Sequence, residues 1–373
     1  MSKLNILNVV NILEISHETA LQLLIDKWMD IQNKQHPKML TCFVGDIHGD
    51  FNQLLAPLIL TSTIKLTGRI VNMLPEYEYL NSSTKIIYLG DYVDGWIFSR
   101  HVVMFLAELF KLHNPKNIIL IFGNHDLSYI GRYKLFKLGG LNFEQDIPSG
   151  YEIYKDELKT NPSLTEFEYL TPIFNSLWYL FENNHLKLCD KAKINGLDFI
   201  ISHNTWTKRG LKELYDAVSG NLEPKINRPG DKNPIQQERF KQFDKNISSD
   251  NYNELFKMCP YFYIARNKLT YMRNTEDIIF NQIVGHTIGA EWAKYGINSE
   301  PSITNEERRN KLNPKIINDK YIFYFDFGST PEYNSNNQSK PDFVYISQDS
   351  KIQVTNLPIF EYYKTSDDVI NLK

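Results

Sequence analysis

Hydrophobic and polar positions divide this chain into two alternating kinds of segment. Near the start, Ala20, Leu21, Leu24, Ile25 and Trp28 recur at three- and four-residue steps. That spacing predicts an amphipathic helix over 17–34 with Ser16 as its cap. From residue 38 onward the rhythm changes to short apolar runs that each end in a polar cluster. Leu40–Val44 runs into GDIHGD, Lys85–Leu89 into GDYVDG and Asn117–Phe122 into GNHD. Further on, Asp198–Ile201 runs into SHNT, Gln282–Val284 into GHT and Tyr321–Phe325 into DFG. Runs of this length, rich in Ile, Val, Phe and Tyr, predict buried strands.

Helical patterns lie between the runs. Asp50 precedes Leu54, Leu55, Leu58 and Ile59, with Pro57 as a kink, and Ser99 is placed to cap a stripe of Val102, Val103, Leu106, Leu109 and Phe110. Strands alternating with helices define an α/β domain, whose ligand site sits beyond the carboxyl ends of the strands. The Asp, His and Asn clusters fall at those ends. Residues 139–172 and 205–260 break the pattern, being polar and rich in Asn, Lys, Pro and Glu. They read either as surface insertions or as a cap that shapes access to the site. The organisation is therefore a helical extension over 1–37, a main domain over 38–350 with those two insertions, and a tail over 351–373.

Composition narrows the function classes. With 373 residues, 42% of them hydrophobic, and 22 Tyr and 22 Phe, the chain has the material for a substantial core and is not a disordered polymer. Its 41 basic and 44 acidic residues nearly balance, which argues against a nucleic-acid polymer or an anionic membrane as partner. No apolar run approaches the ~20 residues that cross a bilayer, and the start lacks a secretory cleavage pattern. The three cysteines, Cys42, Cys189 and Cys259, are scattered and show no CxxC spacing. A reducing compartment, the cytoplasm, fits that usage.

The polar clusters together offer Asp46, His48, Asp91, Asp94, Asn124, His125, His203 and His286. Carboxylate, imidazole and amide donors without thiolates form a ligand set for Mn, Fe or Zn and not for a structural zinc site. Asp46 and His48, two apart on an extended strand end, would point the same way. Six such ligands suit two divalent ions sharing a carboxylate, the arrangement used for displacement at phosphorus. The remaining histidines, His17, His36, His101, His113 and His185, stand outside these clusters and are left unassigned.

In this order and strand context, GDIHG at 45–49, GDYVDGW at 90–96, GNHD at 123–126, SHN at 202–204 and GHT at 285–287 resemble the calcineurin-like metallophosphoesterases. More narrowly they resemble the phosphoprotein-phosphatase superfamily of serine/threonine phosphatases. The resemblance is dense over 38–130 and looser over 174–206 and 258–345. It implies an αββα sandwich of two mixed sheets with flanking helices. It implies Asp46, His48 and Asp91 around a first metal, with Asp91 bridging to a second held by Asn124, His203 and His286. His125 would be the general acid, oriented by Asp94.

The implied activity is phosphomonoester hydrolysis on a phosphorylated protein or a small phosphoester. The alternatives are a nucleotide or dinucleoside-polyphosphate hydrolase and a non-catalytic metal-binding module. Two departures stand out. Gly95-Trp96 replaces the family's Arg-Gly, removing the usual phosphate clamp, for which Arg266 in YIARN is the first substitute, ahead of Arg100 and Arg273. Asp126 replaces the glutamate of GNHE.

Overall fold

The structure is a computed structural model and describes residues 17–94, 98–127, 129–130, 166–206, 278, 280–286, 315–317, 319–325, 338–339, 342–355, 357 and 360–361. In chain order the elements are α1 (His17–Gln32), β1 (Met39–Val44), α2 (Phe51–Leu60), the hairpin β2 (Ile64–Val71) and β3 (Leu74–Tyr79), β4 (Lys85–Tyr88), α3 (Ser99–His113) and β5 (Ile118–Ile121). Then follow α4 (Glu166–Glu182), β6 (Leu186–Lys187), β7 (Cys189–Ile194), β8 (Leu197–Ser202), β9 (Asn281–Val284), β10 (Lys315–Ile317) and β11 (Lys320–Tyr324). The last are β12 (Gln338–Ser339), β13 (Val344–Ser347), β14 (Ile352–Val354) and β15 (Phe360–Glu361).

Two mixed sheets carry the architecture. The first has the order β14-β13-β1-β4-β5-β6, with β1, β4, β5 and β6 parallel and β13 antiparallel beside β1. The second has the order β10-β11-β9-β8-β7, with β8, β9 and β11 parallel inside antiparallel edges. Alternation along each strand sorts its residues between two cores. Phe43, Ile87, Ile119 and Ile121 of the first sheet meet Phe199, Ile201, Ile283 and Phe323 of the second in one cluster between the sheets. Their sequence neighbours Cys42, Val44, Ile86, Tyr88, Ile118 and Leu120 point the other way, into a larger cluster with the helices.

The helices bury the faces their spacing predicts. Leu21, Leu24, Ile25 and Trp28 of α1 are buried, as are Val102, Val103, Leu106, Leu109 and Phe110 of α3. Trp28 also donates its indole N–H to Asn52 Oδ1 at 3.0 Å, so its polar edge is satisfied inside the core. Asp50 caps α2 by accepting from the backbone N–H groups of Asn52 and Gln53.

Several local expectations need correction. Ser99 lies inside α3, whose cap is Phe98 with no side-chain cap hydrogen bond. Residues 166–172, within the stretch read as polar insertion, belong to α4, because Tyr169, Leu170, Ile173 and Phe174 pack into the helical core. The start of the C-terminal tail forms β14, which pairs with β13 at the edge of the first sheet. Ser16, Gly95, Trp96, the DFG at 326–328, most of both insertions, Arg266 and Arg273 lie outside the described residues.

Candidate metal centre

The parallel strands deliver their following loops to one end of the sandwich. Leu89 N–H donates to Val44 O, and the backbone N–H of His48 to Asp91 O, so the first two loops are stitched together. Gly90, with φ +110, adopts a conformation that side chains rarely take, and a Cβ there would meet the Gly123 backbone at 2.6 Å. A Cβ on Gly123 would collide with the Asp91 carboxylate. The two glycines thus let the second and third loops touch.

Among the site residues, His48, Asp91, Asp94 and His286 have φ between 46° and 67°. Left-handed backbone at non-glycine positions is strained and persists only where surroundings fix it. Asp46 and His48 therefore converge through a turn at His48, not through the alternation of an extended strand.

Asp46, Asp91, Asn124 and His203 are all buried, and His48 nearly so. One atom sits at the middle. Asp91 Oδ2 lies 3.2 Å from His203 Nε2, 3.8 Å from His48 Nε2 and 3.9 Å from His125 Nε2. On one side of it His203 Nε2 is also 3.1 Å from Asn124 Oδ1 and 3.1 Å from His286 Nδ1. On the other, His48 Nε2 is 3.8 Å from Asp46 Oδ2. Two ligand atoms each ~2.0–2.2 Å from one ion can be no more than ~4.4 Å apart, so every one of these separations is compatible with a shared cation. The side chains could hold ions in two overlapping groups, Asp46–Asp91–His203–His286 and His48–Asp91–His125, with Asp91 common to both.

Neighbours fix the orientation of each donor. His203 Nδ1 faces Leu89 O at 2.7 Å and His48 Nδ1 faces Asp94 O at 2.7 Å, so in each ring Nδ1–H donates to a carbonyl and Nε2 is turned inward. Backbone N–H groups hold the carboxylates: His286 donates to Asp46 Oδ1 and His125 to Asp91 Oδ1, each at 2.9 Å. That leaves Oδ2 of each carboxylate toward the cluster.

Charge follows from this packing. Burial alone would raise Asp91, but the cationic imidazoles of His203, His125 and His48 hold it well below the usual carboxylate range. Burial works against a charged His203, yet Asp91 and Asp46 push it up to about 10. Burial and the charge on His203 drive His286 down to about 3. A proton on His203 thus occupies the place a cation would take among these acceptors.

His125 stands at the rim, its side chain 26% exposed. Burial lowers its basicity, but the charge of Asp91 and a 2.9 Å hydrogen bond from Nδ1 to Asp94 Oδ2 push it up to about 9. Asp126, the residue that departs from the glutamate pattern, accepts from Tyr92 N–H at 2.9 Å and Gly123 N–H at 2.8 Å. It ties two loops together and stays out of the cluster. Sequence reasoning left its partners open because both contacts are to backbone in folded loops. Arg100 is buried, 5.5 Å over the Tyr169 ring and beside Met73 Sδ.

Two sheets whose strand ends gather Asp46, His48, Asn124, His125, His203 and His286 around the Asp91 carboxylate define a metallophosphoesterase. The family model of the calcineurin-like phosphoesterases matches residues 39–287, about two thirds of the sequence, and the chain belongs to that family. Curated relatives are more distant. It is 27% identical over 170 residues to the serine/threonine-protein phosphatase SIT4 of Candida albicans, covering 46% of this chain and 44% of that one. It is 31% identical over 134 residues to a putative serine/threonine-protein phosphatase of Schizosaccharomyces pombe, covering 36% and 32%. The chain thus spans less than half the length of the curated relatives it matches. A solved Saccharomyces cerevisiae serine/threonine phosphatase with similarity to human phosphatase PP5 aligns over 98% of both chains at 15% identity, with a TM-score of 0.33. Among the described residues no helix is long and apolar enough to cross a membrane.

Proposed function

We propose that this protein is a dinuclear-metal phosphoesterase that hydrolyses phosphomonoesters, with phosphoserine or phosphothreonine of a protein as the favoured substrate and a small phosphoester as the alternative. The observation that carries the reading is the position of Asp91 Oδ2 between two groups of donors, within 3.9 Å of each. Asp46, His48 and Asp91 would hold a first ion, and Asp91, Asn124, His203 and His286 a second, with Mn, Fe or Zn suited to that donor set. When bound, the pair lowers the pKa of a water molecule and neutralises charge on the phosphoryl oxygens.

The chain's own residues do the rest. To bind an ion, His48 and His203 would present a deprotonated Nε2, and Asp94 O and Leu89 O keep the remaining proton of each ring on Nδ1. His125 keeps Nδ1–H on Asp94, so its proton for the departing alkoxide is carried on Nε2, at the exposed rim. The same carboxylate contact would suit a metal-ligating histidine. The geometry groups His125 with His48 and Asp91, and it is the rim position of its side chain that favours the acid role. Arg266 is assigned to the substrate phosphate in place of the family's missing arginine.

A nucleotide or dinucleoside-polyphosphate hydrolase is the second reading, motivated by that missing arginine together with GHT and Arg266. The test is a panel of p-nitrophenyl phosphate, a phosphothreonine peptide and diadenosine tetraphosphate with Mn²⁺, Fe²⁺ or Zn²⁺. Faster turnover of the peptide, abolished by Asp91→Asn, supports the proposal. Preference for the dinucleotide moves the assignment to the second reading. Metal binding with no turnover on any substrate overturns both and leaves a metal-binding module.

A further inference from the structure

Tyr129 belongs to none of the recurring motifs, yet its hydroxyl reaches the carboxylate behind the rim histidine. It is 1% exposed, and it donates to Asp94 Oδ1 at 2.7 Å. The other oxygen of the same carboxylate, Oδ2, lies 2.9 Å from His125 Nδ1. Tyr129, Asp94 and His125 therefore form a continuous relay of hydrogen bonds, with both carboxylate oxygens engaged from opposite ends. The Tyr129 ring is anchored in turn against Phe174 of α4, with centroids 5.6 Å apart. Asp94 has φ 67°, a strained backbone conformation that persists only where surrounding contacts fix it. A buried phenol that donates to Asp94 Oδ1 adds a directional constraint on that carboxylate.

We propose that Tyr129 is the positioning residue for the general acid. By fixing Asp94 from behind, it sets the direction in which the His125 Nε2 proton faces the leaving oxygen, and through Phe174 it makes α4 the buttress of the catalytic loop. The proposal rests on the phosphoesterase reading for its consequence in turnover, though not for its hydrogen bonds. In the step concerned the oxygen of an attacking hydroxide forms its bond to phosphorus as the phosphorus–oxygen bond to the leaving group breaks, the alkoxide takes the proton from His125 Nε2, and Nδ1–H stays on Asp94. Tyr129 changes no bond of its own. Leaving groups that need a proton should feel its loss, and stable aryl oxides should feel it far less.

The test compares wild type, Tyr129→Phe, His125→Asn and the double variant, each loaded with Mn²⁺, on an alkyl phosphomonoester and on p-nitrophenyl phosphate. Tyr129→Phe keeps the ring against Phe174, and its kcat is expected to fall about tenfold further on the alkyl ester than on the aryl ester, with KM on both unchanged. In the His125→Asn background the same substitution should add no further alkyl-specific loss. Equal loss on both esters, or a full extra loss in the double variant, reduces Tyr129 to packing and overturns the proposal.

A readout independent of turnover is the proton NMR spectrum of the metal-free protein. Wild type should show a far-downfield His125 Nδ1–H resonance and a slowly exchanging Tyr129 hydroxyl, and Tyr129→Phe should shift or broaden the former. Absence of both signals in wild type overturns the relay whether or not the variant folds. If wild type hydrolyses nothing while both resonances are present, the phosphoesterase reading fails and the relay stands.

Discussion

Two ends of the first sheet's environment obey opposite rules. Against its outer face, α1, α2, α3 and the β2–β3 hairpin enclose an apolar cluster in which even the buried polar edges of Trp28 and Tyr88 find partners. At the strand ends a few residues away, carboxylates and imidazoles crowd within 3.1–3.9 Å of one another on partly left-handed backbone. The first region follows the main rules of stability, removing apolar area from water and pairing the polar edges of Trp28 and Tyr88. The second violates them, because like-charged oxygens and strained turns cost free energy that ordinary packing does not return. A fold tolerates such a cluster when a ligand of opposite charge repays it, so the contrast locates the chemistry without reference to any motif.

The contrast can be broken from either side. The largest effect is expected at its centre: Asp91→Asn should lower kcat at least about a thousandfold by removing the shared oxygen charge. The unfolding temperature of the metal-free protein should fall as well, because the buried, protonated His203 loses the charge of its partner, a loss of about 3–5 kcal/mol. Thermal unfolding and steady-state kinetics on the same preparation check both. The converse substitution is Leu106→Ala in α3, fully buried in the helical cluster. It should cost about 2–5 kcal/mol in denaturant unfolding while leaving kcat/KM of the folded fraction within about twofold.

A pH measurement sharpens the comparison. His203 is raised to about 10 by Asp91 and Asp46 against the pull of burial. Its folded value lies above the unfolded one of ~6.5. The stability it contributes to the metal-free protein is therefore fully present below ~6.5 and lost as pH rises through about 10. A metal must displace that proton, whereas His286, held down to about 3, has none to give. Apparent affinity for Mn²⁺ should rise about tenfold per pH unit between pH 7 and 9, with one proton released per metal at the second position. Calorimetry in buffers of different ionisation enthalpy counts it. The smallest effect belongs outside both regions: Leu112, 63% exposed on α3, should tolerate Leu112→Ser within about 0.5 kcal/mol and with unchanged turnover.

How far all this was legible in the sequence also divides by region. The strands that end in GDIHGD, GDYVDG, GNHD, SHNT, GHT and DFG could be read because apolar runs stopping at chemistry-bearing residues leave a strong local signal. The helix faces of α1 and α3 could be read because helical spacing repeats. The β2–β3 hairpin was missed although Ile64 and Leu66 alternate with exposed Lys65 and Thr67, since two buried positions are a weak period against background. β13 was missed because its strand identity depends on pairing with β1, about three hundred residues away in sequence, and β14 because among the described residues it pairs only with β13.

At the site, motif order pointed to the residues that converge. The contacts that hold them did not leave a trace. Asp126 to Tyr92 and Gly123, and Tyr129 to Asp94, join loops by single hydrogen bonds whose geometry exists only after folding. Ser99 shows the opposite error, a residue with good capping chemistry that sits one position inside the helix because Phe98 O already accepts from Val102 N–H.

The most direct measurement is anomalous scattering from crystals grown with Mn²⁺, recorded on both sides of the manganese absorption edge. The account predicts two peaks about 3.5–4 Å apart, both within bonding distance of Asp91, one also contacting Asp46 and His48 and the other Asn124, His203 and His286. A single peak away from Asp91, or two peaks that do not share its carboxylate, would contradict it.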